Sequence, residues 1–217
     1  MIIRREALED SGAIFAVNAA AFETSSEADL VEALREHARP TVSLVAQLDG
    51  RVVGHILFSP VIAEANHSLR IMGLGPMAVT PEHQGEGIGS ALVRAGLDAC
   101  RALGACAVVV LGHPRYYPRF GCQPASRFGI HCEYDVPDEA FMALELKADS
   151  LRGLSGRVSY HEAFDLATER TRELLMGAGI GPELKDFACD HSSPSFAKLL
   201  DPYLLIMCTC VLINSVT

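Results

Sequence analysis

The stretch that decides the fold is Met77–Ser90, M-A-V-T-P-E-H-Q-G-E-G-I-G-S. It predicts a strand, a glycine-rich turn and the beginning of a helix, because glycines stand at positions 85, 87 and 89 and an apolar series at helical spacing follows. The first turn of a helix has backbone N–H groups without intrahelical partners, and the helix dipole adds partial positive charge there. Glycines let an anion come close to the main chain. The stretch therefore predicts an anion site that needs no basic side chain.

The glycine spacing narrows the kind of anion site. A P-loop requires a lysine followed by serine or threonine, and no lysine lies between Met77 and Ser90. A dinucleotide-binding fingerprint requires G-x-G-x-x-G, but Ser90 and Leu92 occupy the final position when the pattern is counted from Gly85 and Gly87. Both nucleotide motifs are disfavoured. The pattern that remains is Q-x-x-G-x-G at residues 84–89, preceded by an apolar strand.

Composition sets the broad class. The 217 residues are 49% hydrophobic and 21% charged, which is typical of a globular protein with one sizeable domain. A formal net charge of −9 argues against nucleic acid as the main ligand. Seven cysteines without a C-x-x-C pair indicate free, mostly buried thiols, with neither a disulfide framework nor a metal site. The first residues lack the features of a signal peptide, so we expect a cytoplasmic protein.

The hydrophobic periodicity predicts the order of the other elements. A short strand at residues 2–5 precedes two helices, the first capped by Asp10 or Ser11 and the second begun by a capping box at Ser26 and Asp29. Alternating residues 42–48, the turn Asp49–Gly50 and a return through residue 58 predict a hairpin. Further strands are expected at 69–79, 105–111, 128–133 and 141–147, with the glycine-rich helix running to about residue 103. A strand, helix, strand unit of this kind implies parallel pairing, with the ligand at the carboxyl ends of the strands.

A second motif follows the strand at 105–111. It is G-H-P-R-Y-Y-P-R-F-G-C at residues 112–122, in which Tyr117 is followed by Arg119, Phe120 and Gly121. Together and in this order, the two motifs resemble those of the GNAT superfamily of acetyl-CoA-dependent N-acetyltransferases. The segment D-V-P-D-E-A-F-M-A-L-E-L at 135–146 is similar to the YhbS-like group of that superfamily. The resemblance covers residues 1–165, and residues 166–217 lie outside it.

The resemblance implies a fold and a cofactor. The fold is the α/β (α+β) acyl-CoA N-acyltransferase fold, a mixed central sheet splayed at the cofactor site with helices on both faces, here followed by a C-terminal extension at 166–217. The cofactor is acetyl-CoA (coenzyme A). Its pantetheine arm would pair with the backbone of the strand, and its diphosphate would lie on the loop. The cofactor-binding residues so implied are Met77, Ala78, Val79, Gln84, Gly85, Glu86, Gly87, Ile88, Gly89, Ser90 and Tyr117.

The resemblance also implies direct transfer of the acetyl group, with no acyl-enzyme. The N–H of Val79, or of Met77, would donate to the thioester oxygen, and Tyr117 would protonate the departing thiolate. Both tyrosines of the second motif could instead simply pack. The base is open, because the strand at 69–79 contains no carboxylate. Candidates are Glu27, His55, His113 or a chain of water molecules, although Glu27 could merely favour its helix dipole and His55 could be a hydrogen-bonded strand residue.

The function that follows is transfer of acetyl from acetyl-CoA to a primary amine of a small molecule, a protein or a peptide. Two alternatives stay open: an acyl-CoA-binding sensor or interaction module without turnover, and a nucleotide-binding protein. The apolar run at 203–213 is shorter than the roughly 20 residues that cross a bilayer. We expect no membrane association and burial of this run on the domain or on a partner subunit, which makes a homodimer possible.

Overall fold

A computed structural model describes residues 1–22 and 25–165, and all structural statements below refer to these residues. In chain order its elements are β1 (Ile2–Arg5), α1 (Ser11–Ala21), α2 (Ser26–His37), β2 (Val42–Leu48), β3 (Arg51–Ala63), β4 (Ile71–Val79), α3 (Ile88–Ala102), β5 (Ala107–Leu111), β6 (Gln123–Pro124), β7 (Ile130–Cys132), β8 (Phe141–Glu145) and β9 (Gly156–Ser159).

The strands form one mixed sheet in which seven follow the order β1-β2-β3-β4-β5-β8-β6; β9 pairs with β3, and β7 pairs with β9. The pair β4–β5 is parallel, while the pairs on either side of it are antiparallel. Helices α1 and α2 pack through Ile14, Leu30 and Leu34 on one apolar cluster. Helix α3 packs through Ile88 and Leu92 on the cluster of the other face. The predicted mixed α/β sheet with helices on both faces is confirmed.

The sheet opens between its two parallel strands. The β4–β5 register begins at Ile71↔Ala107 and ends at Leu74↔Val110. On its other side β4 stays paired with β3 as far as Val79. Residues 75–79 therefore have β3 along one backbone edge only, since pairing with β5 has ended, and this is the splay that the sequence predicted.

Two boundaries differ from the sequence predictions. Helix α2 begins at Ser26, so Ser25 is its N-cap and the predicted capping box at Ser26 is wrong. Strand β3 continues to Ala63, beyond the predicted end at residue 58, because its second half pairs with both β4 and β9. Tertiary pairing extends a strand further than its local alternation indicates. The predictions for residues 166–217 lie outside the described residues.

The cysteines of the described part are free thiols. Burial raises the pKa of Cys132 to about 11 and those of Cys100 and Cys122 to about 12, which leaves these thiols protonated and unreactive near neutral pH. In the residues that the structure describes, no group of His, Cys, Asp and Glu side chains could hold a metal ion. Within the same ranges, no helix has both the length and the apolar character needed to cross a membrane.

Close packing of α3 on the sheet gives a stability prediction. A Cβ atom on Gly96 would lie 2.2 Å from Cε2 of Phe58, whereas a Cβ on Gly12 in α1 would meet nothing within 4 Å. We expect Gly96→Ala to lower the free energy of unfolding by about 1–3 kcal/mol, because the buried Phe58 ring must move. The matched change Gly12→Ala should raise it by up to about 1 kcal/mol through helix propensity. Urea unfolding measures the free energy of unfolding of both variants. The same change in that free energy for Gly96→Ala and Gly12→Ala would show that α3 is not packed this closely on the sheet.

Candidate active site

The free backbone edge of β4 is the centre of the candidate site. The register pairs Met77 with Ile56, Ala78 with His55 and Val79 with Gly54. The N–H of Thr80 donates to the carbonyl of Val53 on β3 at 2.9 Å. Because backbone groups alternate sides along a strand, the N–H groups of Met77 and Val79 lie on the edge away from β3. This edge can pair with the amide groups of an extended ligand as an added strand would.

The glycine-rich loop follows directly. Gly85 and Gly87 have φ values of +80° and +83°, which L side chains rarely adopt, and Gly87 is the N-cap of α3. The helix begins at Ile88, and the first intrahelical bond runs from the N–H of Ala91 to the carbonyl of Gly87. The N–H groups of residues 88–90 are therefore the unpaired first-turn donors. A Cβ atom at position 85 or 87 would have nothing within 4 Å, so space for an anion surrounds both positions.

Two side chains fix the loop. The Nε2 of Gln84 donates to the carbonyl oxygen of Val79 at 3.1 Å, which ties the loop to the end of β4. The carboxylate of Glu86 lies 3.2 Å from Nδ1 of His83 on the exposed side of the loop. Glu86 is thus held beside a histidine, and its own N–H is the group left for an anion.

The two tyrosines of the second motif occupy different environments. Tyr117 begins the short 3-10 helix Tyr117–Phe120 and is completely buried. The hydroxyl of Tyr116 lies 3.3 Å from Oγ of Ser90 in the first turn of α3. The rings meet edge to face with centroids 5.1 Å apart. The structure brings the hydroxyl of Tyr116 to the glycine-rich loop, a contact that the sequence reasoning missed because two adjacent tyrosines do not indicate which way each side chain points.

Positive charge is concentrated around this motif. Five arginines and one aspartate are the only charged residues between positions 87 and 132, a formal charge of +4 in a chain of net charge −9. Two of these arginines lie on aromatic rings of the motif: the Arg119 guanidinium is 4.6 Å from the Tyr116 centroid, and that of Arg94 is 5.4 Å from the Phe120 centroid. Such stacking holds a cation in place without neutralising it. The two stacked arginines therefore keep their positive charge beside the second motif.

The predicted base candidates differ in accessibility. Glu27 is buried in the first turn of α2. The Nδ1 of His113 accepts a hydrogen bond from the N–H of Arg115 at 3.2 Å. His55 is completely buried, and its two ring nitrogens lie 3.2 Å from Nδ2 of Asn18 and 2.9 Å from Oγ of Ser43. Burial lowers the pKa of His55 to about 4, so its ring is neutral near pH 7.

The model of the "Acetyltransferase (GNAT) family" matches residues 10–121. The chain belongs to the GNAT acetyltransferase family. It is 39% identical over 166 residues to an uncharacterized N-acetyltransferase YhbS of Escherichia coli (strain K12), which covers 76% of this chain and 99% of that protein. The predicted family and the prediction of an acyltransferase enzyme are confirmed.

Two solved GNAT structures are similar to this acetyltransferase. The crystal structure of YhbS from Escherichia coli in complex with CoA aligns with a TM-score of 0.71 at 38% identity, covering 76% of this chain and 91% of that one. A GNAT family acetyltransferase from Brucella melitensis in complex with acetyl-CoA aligns with a TM-score of 0.63 at 38% identity, covering 76% and 97%. Both share the fold described above.

Proposed function

We propose that this GNAT acetyltransferase transfers the acetyl group of acetyl-CoA directly to a primary amine of a small molecule, a protein or a peptide. The observation that carries the proposal is the free edge of β4 leading straight into the helix N-terminus of α3. An extended arm with a diphosphate at one end fits a strand edge that ends at an anion site. The similar structures that contain CoA and acetyl-CoA support the same cofactor.

The residues expected to hold acetyl-CoA divide into two groups. The backbone of Met77, Ala78 and Val79 would pair with the pantetheine arm, and the N–H groups of residues 85–90 would bind the diphosphate, since the N–H of Gln84 donates to the carbonyl of Pro81. Bound there, acetyl-CoA supplies the activated acyl group. The N–H of Val79 or of Met77 would be placed to donate to the thioester oxygen and so to stabilise the negative charge that develops there.

Two proton transfers remain for side chains. The amine must lose its proton before it attacks, and the CoA thiolate must be protonated as it leaves. We assign no proton transfer to His55, because both of its ring nitrogens contact neighbouring side chains. Glu27 or an ordered water is proposed as the base, and Tyr117 as the acid, with Tyr116 as a neighbouring hydroxyl next to Ser90.

Replacing each tyrosine by phenylalanine distinguishes the roles of the two hydroxyls. We expect Tyr117→Phe to lower kcat by about 100-fold with little change in the KM for acetyl-CoA, because general acid catalysis typically contributes this much. Tyr116→Phe should keep kcat and weaken acetyl-CoA binding severalfold through loss of the contact with Ser90. Steady-state kinetics by thiol release measures both. Full turnover in Tyr117→Phe would remove its assignment as the acid, and loss of kcat in Tyr116→Phe would transfer that role.

A non-catalytic acyl-CoA sensor is the second candidate, favoured by the absence of any carboxylate from strand β4. A broad panel of primary amines and peptides, scored by release of the CoA thiol, decides between the two. Release with at least one amine supports the enzyme. Acetyl-CoA binding by calorimetry with no release across the panel would establish the sensor.

The remaining proposals concern the whole chain. We propose that residues 1–165 form the catalytic domain, that residues 166–217 are an extension packing on it or on a partner subunit, and that the protein is cytoplasmic. A homodimer is one possible assembly of the full chain. Light scattering of the purified full chain measures its mass in solution, and a monomer at all concentrations would exclude the dimer.

A further inference from the structure

Asn18 on α1 is completely buried, and its side-chain amide has a fixed orientation. Its Nδ2 donates to the carbonyl oxygen of Ile14 at 2.9 Å and lies 3.2 Å from Nδ1 of His55. Rotating the amide by half a turn would place Oδ1 against the Ile14 oxygen, and two acceptors would then face each other. The amide is therefore held with both of its hydrogens used.

A chain of hydrogen bonds from the protein surface supports this orientation. Because Nδ1 of His55 accepts from Asn18, Nε2 carries the ring proton and donates to Oγ of Ser43 at 2.9 Å. The Ser43 hydroxyl donates to Oε2 of Glu6 at 2.7 Å. The Glu6 carboxylate accepts two hydrogen bonds from the Arg35 guanidinium, at 3.0 and 3.1 Å. Every donor in this chain has an acceptor, so the Asn18 amide is preorganised.

The other atom of the same amide is not used. Oδ1 of Asn18 is buried and has no hydrogen-bond partner among the described residues. A buried acceptor without a partner costs about 1–3 kcal/mol of folding free energy. An amide that is held by several residues, yet leaves its oxygen unpaired, suggests that the oxygen has a partner in the working enzyme.

The place of Asn18 indicates what that partner is. His55, its contact on β3, is directly opposite Ala78 in the β3–β4 register. Ala78 belongs to the same apolar cluster as Val17, the residue before Asn18, and Ala21 of the same helix. Asn18 therefore belongs to the part of α1 that packs near the C-terminal end of β4, the stretch of the strand that has lost its pairing with β5.

We propose that Asn18 is a positioning residue for the acceptor, its Oδ1 accepting a hydrogen bond from the N–H of the incoming amine or from the water that removes the amine proton. This inference rests on the proposed acetyl transfer. A neutral amide oxygen suits the task, because it orients an N–H or O–H donor and stabilises the ammonium form, which has no lone pair for attack, much less than a negatively charged group would. A carboxylate at this position would hold the proton on the amine.

Asn18→Leu tests the proposal, because leucine has a similar size and no hydrogen-bonding atom. The probe is the primary amine that gives the fastest thiol release from the wild-type enzyme in the panel. Direct contact with the amine predicts a KM for that amine raised about tenfold, and contact through water predicts a kcat lowered about tenfold. In both cases the dissociation constant for acetyl-CoA, measured by calorimetry, should stay within about twofold.

Ser59→Ala is the matched control. Ser59 lies on the same strand as His55, is completely buried, and its Oγ also has no partner in the described part of the chain. Its register partner is Gly73, where β4 and β5 are still paired, so it lies away from the free edge. Ser59→Ala should leave both KM values and kcat unchanged.

The outcomes separate this inference from the proposed function. If the wild type turns over and the kcat and amine KM of Asn18→Leu are within twofold of the wild-type values, Asn18 does not position the amine. That result would leave the proposed acetyl transfer unaffected. Absence of turnover in the wild type with every amine would overturn both. Where Asn18→Leu fails to fold, Asn18→Ala is measured in its place, because alanine favours the helix and also lacks the oxygen. The same fold-changes are expected for it.

Discussion

Replacing Gly87 by aspartate should weaken binding of CoA by about 100-fold or more while the protein stays folded. The N-cap position of α3 and a φ of +83° are both tolerated by aspartate better than by most side chains. The new carboxylate would compete for the first-turn N–H groups of the helix and would face the diphosphate. At about 4 Å and an effective dielectric constant near 20, repulsion between two unit charges is about 4 kcal/mol, which exceeds the free energy of a 100-fold change.

Gly87→Asn is the control for this effect. Asparagine has the same shape, the same tolerance of positive φ and the same capping ability, but no charge. We expect its loss of CoA affinity to be tenfold or less, so the difference between the two variants measures repulsion of the cofactor phosphates. Calorimetry with CoA at low and high salt gives both affinities. Equal losses in the two variants would show that the diphosphate does not lie at the N-terminus of α3.

Stability of the wild-type protein should fall as the pH decreases from about 6.5 to about 4, because His55 is buried as a neutral ring. Its pKa is lowered from 6.5 to about 4 by burial, so in this range the unfolded chain binds a proton that the folded protein does not. Unfolding is thereby favoured as the pH falls, and the effect ends below about 4, where both states are protonated. The total contribution is about 3 kcal/mol.

Urea unfolding at pH 7.5, 6.0 and 5.0 measures this dependence, with His55→Gln as the control. The variant should be less stable at pH 7.5, since glutamine cannot reproduce both contacts of the ring, but it should lose less stability on acidification. Asp10 does not interfere, because its pKa is about 2 and its ion pair with Arg4 is lost only in stronger acid. A pH dependence that is identical in wild type and His55→Gln would contradict a neutral buried His55.

The electrostatics of the site explain how an acidic protein binds a polyanionic cofactor. The expected contacts to the diphosphate are backbone N–H groups, which carry no net charge and need no counterion. The arginines of residues 87–132 add a local positive field, and stacking on Tyr116 and Phe120 fixes two of them. The overall charge of −9 is therefore compatible with the ligand, because backbone N–H groups would make the contacts and the segment at 87–132 carries a formal charge of +4.

Much of the cofactor side of the site could be predicted from the sequence. Glycines at positions 85 and 87 indicate positive φ, and the series beginning at Ile88 indicates an amphipathic helix. Both are local properties, since they depend on neighbours within one or two turns of chain. The strand before the loop and the strand after the helix complete a parallel unit, whose handedness and ligand position follow general rules. The spacing of Gln84 and the glycines distinguished the acetyl-CoA motif from the P-loop and the dinucleotide-binding fingerprint.

The substrate side depended on contacts that no local pattern encodes. The sequence presented His55 as one base candidate among several, and the tertiary structure showed that both its nitrogens contact side chains from α1 and β2. The orientation of Asn18, and the choice between the hydroxyls of Tyr116 and Tyr117 beside Ser90, likewise depend on packing between distant segments. Local sequence determines backbone conformation and periodicity, whereas a side chain's partner is decided by sheet register and helix packing. The sequence alone therefore determined the family, the fold and the conformation of the glycine-rich loop, and only the tertiary structure decided which polar groups near the end of β4 contact one another.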